Sequence, residues 1–161
     1  MQVQSRGLSS VAVLLGAKSW DWHAVDHVRQ ACSQRGLICH RRWIQGIPEL
    51  IPGWAAHAVD GMFAGPEMPQ ALIIADDHLV PAATTALGDS DCRPLVIAMA
   101  NFPLTGTQEV LDISIGWDQA DYLREAMNRM ARYMDSAHPI GNEPLPLCLA
   151  GDALGTRAPR A

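Results

Sequence analysis

The apolar residues of this chain form short runs that alternate with longer stretches of helical periodicity. Continuous apolar runs of five or so residues are typical of strands buried on both faces. The pattern predicts strands at 10–15, 37–43, 71–75, 95–99, 110–115 and 145–149. Apolar residues at helical spacing predict helices at 23–34, 54–63, 78–87 and 118–134.

This order of elements, β-α-β-α-β-α-β-β-α-β, predicts an α/β fold with a mostly parallel, doubly wound sheet and helices on both faces, in three α/β/α layers. In such sheets ligands bind beyond the carboxyl ends of the strands. The segments that directly follow the strands are therefore the first place to look for a site. They are residues 16–22, 43–46, 76–77, 100–102 and 116–119.

Composition and charge narrow the class of protein. The chain has 161 residues, of which 48% are hydrophobic and 18% charged, which excludes a disordered, collagen-like or disulfide-dense protein and fits one domain. The net charge is −5 and there is no long basic run, so the chain has no electrostatic footprint for nucleic acid. The N-terminus lacks a signal-peptide core and no apolar run is long enough for a membrane span, so we expect a cytoplasmic protein.

The sequence contains few motifs that indicate catalysis, cofactor binding or metal binding. We find no phosphate-binding, dinucleotide-binding or nucleophile-elbow motif, so we expect no cofactor. Four scattered cysteines lack zinc-ribbon spacing and are expected to be buried, reduced thiols; they are Cys32, Cys39, Cys92 and Cys148. His23 and His27 share a helix face but have no evident third ligand, so no metal site is predicted there.

Two features of the sequence are of greater interest. Asp76, Asp77 and His78 follow a buried strand, and they are either an acid/base or metal cluster or a helix cap with a solvated neighbour. Several tryptophans lie at or near predicted loops, where an indole face can stack on a sugar ring or another flat ligand. Among these, Trp20, Trp22 and Trp117 follow predicted strands.

Residues 71–87, with the sequence Ala-Leu-Ile-Ile-Ala-Asp-Asp-His-Leu-Val-Pro-Ala-Ala-Thr-Thr-Ala-Leu, resemble a stretch of the lac-repressor-type (LacI-type) transcription regulators. There an apolar strand ends in Asn-Asp and a small-residue helix ending in Ala-Leu follows. Further resemblances occur in the expected order, and together they cover roughly residues 8 to 150. They are at 10–16, 31–37, 93–99, 115–118 and 144–149.

The resemblance implies a type I periplasmic-binding-protein-like lobe over residues 1–150, followed by a flexible tail at 151–161. It also implies a small-molecule effector, a sugar or a nucleoside, held in a cleft. Asp76 matches the family's effector-binding Asn, and Asp77 matches an Asp that serves chiefly as a cap. Trp117 stands at the family's Gln and Asp118 at the Asp that follows it. The residues predicted to bind the ligand are Trp20, Trp22, Asp76, Asp77, Asn101, Trp117 and Asp118.

The chain also departs from the family. The effector-holding Asp of the family falls on Ala100, beside Asn101, and the family's effector Arg falls within 24–26, where no Arg is present. A bidentate Arg is not easily replaced, so a typical sugar effector is in doubt. The DNA-binding headpiece and first lobe of the family are not matched, so we expect DNA binding only through a headpiece that this chain lacks.

The helix at 119–135 would pack in the first lobe in the family, and its apolar side here needs another partner. That side consists of Leu123, Met127, Met130 and Met134. We therefore predict a non-enzymatic effector-sensing part of a LacI-type regulator, in a homodimer. Three alternatives stay open: a protein-interaction module that pairs through this helix, a small α/β enzyme using Asp76, Asp77 and His78, and a secreted solute-binding protein.

Overall fold

The structure of the chain is a computed structural model, and it describes residues 7–16, 23–48, 51–88, 93–101, 111–135 and 148–149. Several predictions fall outside these residues. They include Trp20, Trp22, Cys92, the beginning of the strand predicted at 145–149 and the tail predicted at 151–161.

The described residues form one six-stranded sheet in the order β2-β1-β3-β4-β5-β6. The first five strands are parallel, and β6 runs antiparallel to β5 at the edge. The strands are β1 (Val11–Gly16), β2 (Ile44–Ile47), β3 (Ala71–Ile74), β4 (Leu95–Met99), β5 (Ile113–Gly116) and β6 (Cys148–Leu149). This is the mostly parallel sheet that the alternating pattern predicted.

The first three helices each lie between two parallel strands, whereas the fourth lies between β5 and the antiparallel strand β6. They are α1 (Ala24–Ser33), α2 (Trp54–Phe63), α3 (Val80–Leu87) and α4 (Gln119–Asp135), with short 3-10 helices at Arg41–Trp43 and Asp77–Leu79. The order of elements is the predicted one. Pro81 lies in the first turn of α3, where its missing N–H leaves no hydrogen bond unmade.

Two apolar clusters, one on each face of the sheet, hold the layers together. Alternate residues of β1 point to opposite faces: Leu14 packs with α2 and α3, whereas Val13 packs with α1. The largest fully buried side chains include Leu14, Leu72 and Ile74, each of which contributes about 1.5–3 kcal/mol through burial. The three-layer α/β/α arrangement follows directly from these two faces. None of the described residues of α4 belongs to either cluster.

One predicted strand is displaced. The pattern predicted a strand over 37–43, but Ile38 makes only an isolated bridge to Ser10, and the strand proper is Ile44–Ile47. The exposed, charged stretch His40–Arg42 leads into a 3-10 turn instead, which places Trp43 in the core at 2% exposure. Pairing with β1 begins only at Ile44, opposite Val13.

The four cysteines were predicted to be buried, reduced thiols. Of the two that the structure describes, Cys32 is buried and Cys39 half-buried, and both are free thiols.

Among the described helices, none combines the length and the apolar character needed to cross a membrane.

Candidate functional site

The crevice is the carboxyl edge of the parallel strands β1, β3, β4 and β5. From β1 the chain moves outward to β2, then returns past β1 to β3 and continues to β6, so it reverses direction between β1 and β3. In doubly wound sheets ligands bind at this point, outside the carboxyl ends of the strands. Asp76 lies just beyond β3 at this position, and its carboxylate packs so closely over Gly16 that a Cβ there would collide with it.

Asp76, Asp77 and His78 form a compact polar cluster at the end of β3. The Asp76 carboxylate accepts a hydrogen bond from the backbone N–H of His78 at 3.0 Å, which caps the 3-10 helix. The imidazole Nδ1 of His78 lies 3.1 Å from Asp76 Oδ1 and 2.9 Å from Asp77 Oδ1. The hydrogen bond to Asp76 and the charge of Asp77 raise the pKa of His78 above its ordinary value. The cluster therefore favours an imidazolium between two carboxylates.

Asn101 links this cluster to the neighbouring strands. Its Nδ2 lies 3.5 Å from Asp77 Oδ2, at the outer limit of a hydrogen bond, and its Oδ1 accepts from the backbone N–H of Trp117 at 3.3 Å. Asp77, Asn101 and Trp117 follow β3, β4 and β5, which are adjacent in the sheet. The carboxyl ends of three parallel strands thus present one continuous row of polar groups.

An open groove of about 530 Å³ begins at Asn101 and runs along the start of α4. Among the described residues, its walls are Asn101, Trp117, Gln119, Tyr122 and Leu123. The volume falls in the range of small-molecule sites, which are mainly apolar with a few placed polar groups. The indole Nε1 of Trp117 is buried and has no hydrogen-bond partner among the described residues, so it is an unused donor.

Asp118 has a structural role in this arrangement. Its Oδ1 accepts from the backbone N–H of Asp121 at 3.0 Å, and its carbonyl accepts from the N–H of Tyr122 at 2.8 Å. These are the contacts of an N-cap residue, and they begin α4 at Gln119. This carboxylate oxygen is thus engaged within its own helix.

Four of the predicted site residues come together at the crevice: Asp76, Asp77, Asn101 and Trp117. The capping role expected for Asp77 belongs to Asp76 instead, because Asp76 is the residue in extended conformation just before the turn. Trp20 and Trp22 lie outside the described residues. Tyr122 and Leu123 were not predicted as groove residues. Leu123 was assigned to the apolar side of α4, but that pattern could not show that the first turn of the helix borders the groove.

Chemically, the crevice offers oxygen acceptors, amide groups and an aromatic wall. Carboxylates and the Asn101 amide suit the hydroxyls of a polar ligand, and Trp117 and Tyr122 suit a flat apolar face. The ligand atoms of Asp76, Asp77 and His78 all lie within 4.8 Å of one another, so these three side chains are also the described residues best placed to hold a divalent cation. When it is protonated, His78 itself supplies a positive partner for the two carboxylates.

Comparisons with known proteins agree with this fold. No protein-family model matches the chain, and no curated protein matches it. A LacI family transcriptional regulator from Bifidobacterium animalis subsp. lactis is similar over 91% of this chain and 55% of its own, with a TM-score of 0.66 and 15% identity. A putative transcriptional regulator LacI from Bacillus cereus subsp. cytotoxis gives a TM-score of 0.67 at 14% identity, over 92% of this chain and 55% of its own.

GanP, a glucose-galactose binding protein from Geobacillus stearothermophilus, has the same fold, with a TM-score of 0.60 at 9% identity over 95% of this chain and 57% of its own. The chain therefore has the α/β fold of the LacI-type effector-binding domain and of periplasmic-binding-protein-like sugar-binding proteins. It spans about half the length of these solved structures. These similar proteins are transcription regulators and a binding protein rather than enzymes.

Proposed function

We propose that this chain is the effector-sensing part of a cytoplasmic LacI-type regulator and binds a small polar ligand, a sugar or a nucleoside, in the crevice at the carboxyl edge of the sheet. The observation that carries this proposal is the convergence of Asp76, Asp77, Asn101 and Trp117 at the carboxyl edge of the sheet, beside a groove of small-molecule size. The shared fold with LacI-type regulators and with a glucose-galactose binding protein supports it.

Each group has a proposed role in ligand binding. The carboxylates of Asp76 and Asp77 accept hydrogen bonds from ligand hydroxyls, and Asn101 both donates and accepts. Trp117 provides a stacking face, and Trp20 and Trp22 remain proposed stacking residues on the segment after β1. Operator DNA would require a separate basic segment, because this chain carries a net charge of −5.

A thermal-shift screen of sugars and nucleosides tests the proposal. A ligand at a hundredfold its dissociation constant stabilises the folded state by about 2.7 kcal/mol, which for a chain of this size raises Tm by roughly 5–10 °C. The Asp76→Ala variant should lose this shift, measured against its own ligand-free Tm so that any loss of stability is subtracted.

Asp60→Ala is the matched control, because it removes an exposed carboxylate of α2 away from the crevice and should keep the full shift. Absence of a shift with every compound, or an equal shift in Asp76→Ala, would contradict ligand binding at this crevice.

The second candidate function is a protein-interaction role for α4, and one specific observation favours it. The large apolar residues of this helix are exposed to solvent, with Leu123 at 60% and Met127 at 64%. Contiguous apolar patches of this kind mark interaction surfaces on soluble proteins. Binding another chain through α4 is compatible with effector binding at the crevice.

A further inference from the structure

Two free thiols are in contact at the amino edge of the sheet, which is the edge opposite the crevice. Cys32 lies in the last turn of α1, and Cys39 follows Ile38, the residue that bridges Ser10 just before β1. The thiol of Cys39 donates a hydrogen bond to the sulfur of Cys32. Cys32 belongs to the apolar cluster that contains α1, and Cys39 packs against that cluster. The fold therefore holds the two sulfur atoms side by side.

A backbone turn at the end of α1 brings the two cysteines together. The N–H of Leu37 donates to the carbonyl of Cys32 at 3.0 Å. The N–H of Gly36 donates to the carbonyl of Ser33 at 2.9 Å, and these are the two hydrogen bonds of a Schellman motif. Gly36 has the left-handed conformation that the motif needs, with φ of 65°. The return of the chain toward Cys32 is thus fixed by the backbone and does not depend on the thiol of Cys39.

The surroundings of Cys32 favour its thiolate form. The hydrogen bond from Cys39 lowers the pKa of Cys32 to about 7, with the positive charge of Arg35 as a smaller contribution and burial opposing both. About half of the Cys32 side chains are therefore thiolate at neutral pH, compared with a few per cent for an ordinary cysteine. The thiolate is the form that attacks peroxides and disulfides, so Cys32 is the nucleophile of the pair.

Cys39 is placed to react second. The hydrogen bond to Cys32 raises the pKa of Cys39, together with burial and the negative charge of Cys32. Once the sulfur of Cys32 has reacted, it no longer carries this charge, so Cys39 loses its proton more readily. Cys39 is half-buried, whereas Cys32 is only 8% exposed, so the pair faces solvent on the side of Cys39.

We propose that Cys32 and Cys39 are a redox-sensitive pair that forms a reversible disulfide on reaction with a hydroperoxide. In the first step the Cys32 thiolate attacks a peroxide oxygen, so an S–O bond forms, the O–O bond breaks and the second oxygen leaves as hydroxide. In the next step the Cys39 thiolate attacks the sulfur of this sulfenic acid, so the S–S bond forms and the S–O bond breaks. The two thiols lose two electrons and two protons, and hydrogen peroxide is reduced to two molecules of water.

The pair is reduced at rest and oxidised transiently. Disulfides in reducing compartments are rare, and those that occur are usually transient or redox-sensing. A monothiol such as glutathione restores the two thiols by thiol–disulfide exchange. While it lasts, the disulfide ties the end of α1 to the segment that leads into β2. This inference goes beyond the proposed function and depends neither on effector binding at the crevice nor on α4.

Peptide mapping of the full chain tests the disulfide. Trypsin cleaves after Arg35 and so separates the two cysteines into peptides 30–35 and 36–41. After treatment with hydrogen peroxide and alkylation of the remaining thiols, a chain that runs as a monomer in a non-reducing gel should give these peptides as one linked species. Dithiothreitol should separate them. Absence of the linked species, or linkage of either peptide mainly to Cys92 or Cys148, overturns the proposal.

Two substitutions of Cys39 test the order of the steps. Cys39→Ser keeps a hydroxyl that donates to Cys32 but cannot form a disulfide, so peroxide should leave a sulfenic acid on Cys32 that dimedone traps. Cys39→Ala also removes the donor, so the pKa of Cys32 should rise and its alkylation by iodoacetamide at neutral pH should be roughly threefold slower than in Cys39→Ser. Equal alkylation rates, or no dimedone adduct on Cys32 in Cys39→Ser, would overturn the assignment of Cys32 as the nucleophile.

Discussion

Two glycines at strand ends let the crevice take its shape. A Cβ on Gly16 would collide with the carboxylate of Asp76, and a Cβ on Gly116 would collide with the backbone carbonyl of Ala100. Asp76 can therefore lie over the end of β1, and the end of β5 can approach the end of β4. The sequence marked both glycines as strand ends. The close approach involves residues 60 and 16 positions apart, so no local pattern reveals it.

The protonation of His78 is testable on the same cluster. The hydrogen bond to the Asp76 carboxylate is the largest cause of the raised pKa of His78. We expect Asp76→Asn to lower this pKa toward its ordinary value, because the amide that replaces the carboxylate carries no negative charge. An NMR titration of the imidazole measures this shift, with Asp60→Asn as a distant control that leaves it unchanged.

The raised pKa of His78 also makes the stability of the fold depend on pH. A raised pKa means that the carboxylates stabilise the protonated imidazole, so their contribution is complete below the ordinary pKa of about 6.5 and is lost as pH rises through the raised pKa. A pKa of His78 that is the same in wild type and Asp76→Asn would contradict the pairing.

Helices and strands followed the sequence pattern closely where the apolar periodicity was long or uninterrupted. β3 and β4 begin at the predicted residues, and α2 lies at its predicted bounds. The prediction of a strand at 37–43 was wrong, because His40–Arg42 lead into a 3-10 turn in which His40 and Arg42 pair with Glu67. Only the register with β1 places the strand at Ile44–Ile47. Asp118, predicted as a ligand-binding residue, caps α4.

The capping role gives a prediction for α4 as an element. Asp118→Ala removes the acceptor for the Asp121 N–H, so we expect it to destabilise α4 by about 1 kcal/mol. Asp118→Asn retains an equivalent acceptor and should restore nearly all of this stability. Far-UV circular dichroism during thermal unfolding measures the difference. Equal behaviour of the two variants would show that the side chain of Asp118 does not cap the helix.

At the scale of the molecule, the described residues divide into a well-packed body and one helix, α4, that joins neither apolar cluster. α1, α2 and α3 cover the sheet, whereas α4 leaves its apolar side in solvent. The stability of the chain is therefore expected to be uneven, with the sheet protected by burial and α4 the least protected helix.

Hydrogen exchange tests this division. In the wild-type chain, we expect the amides of α4 to exchange faster than those of β1 and β3, because both strands are buried whereas the apolar side of α4 is exposed. Protection of α4 equal to that of the two strands would contradict this division.

The alternation of apolar runs and helical stretches was enough to predict the α/β class, the order of elements and the edge of the sheet where polar residues gather. This is possible because a strand or helix that buries one or both faces needs apolar residues at a characteristic spacing, and that spacing is visible in the local sequence. The hydrogen bonds from Asp77 through Asn101 to Trp117, the capping by Asp76 and Asp118, and the exposure of α4 depend on how elements distant in the chain are placed. Those features required the assembled sheet, because each results from contacts, or the lack of them, between residues that no local pattern relates.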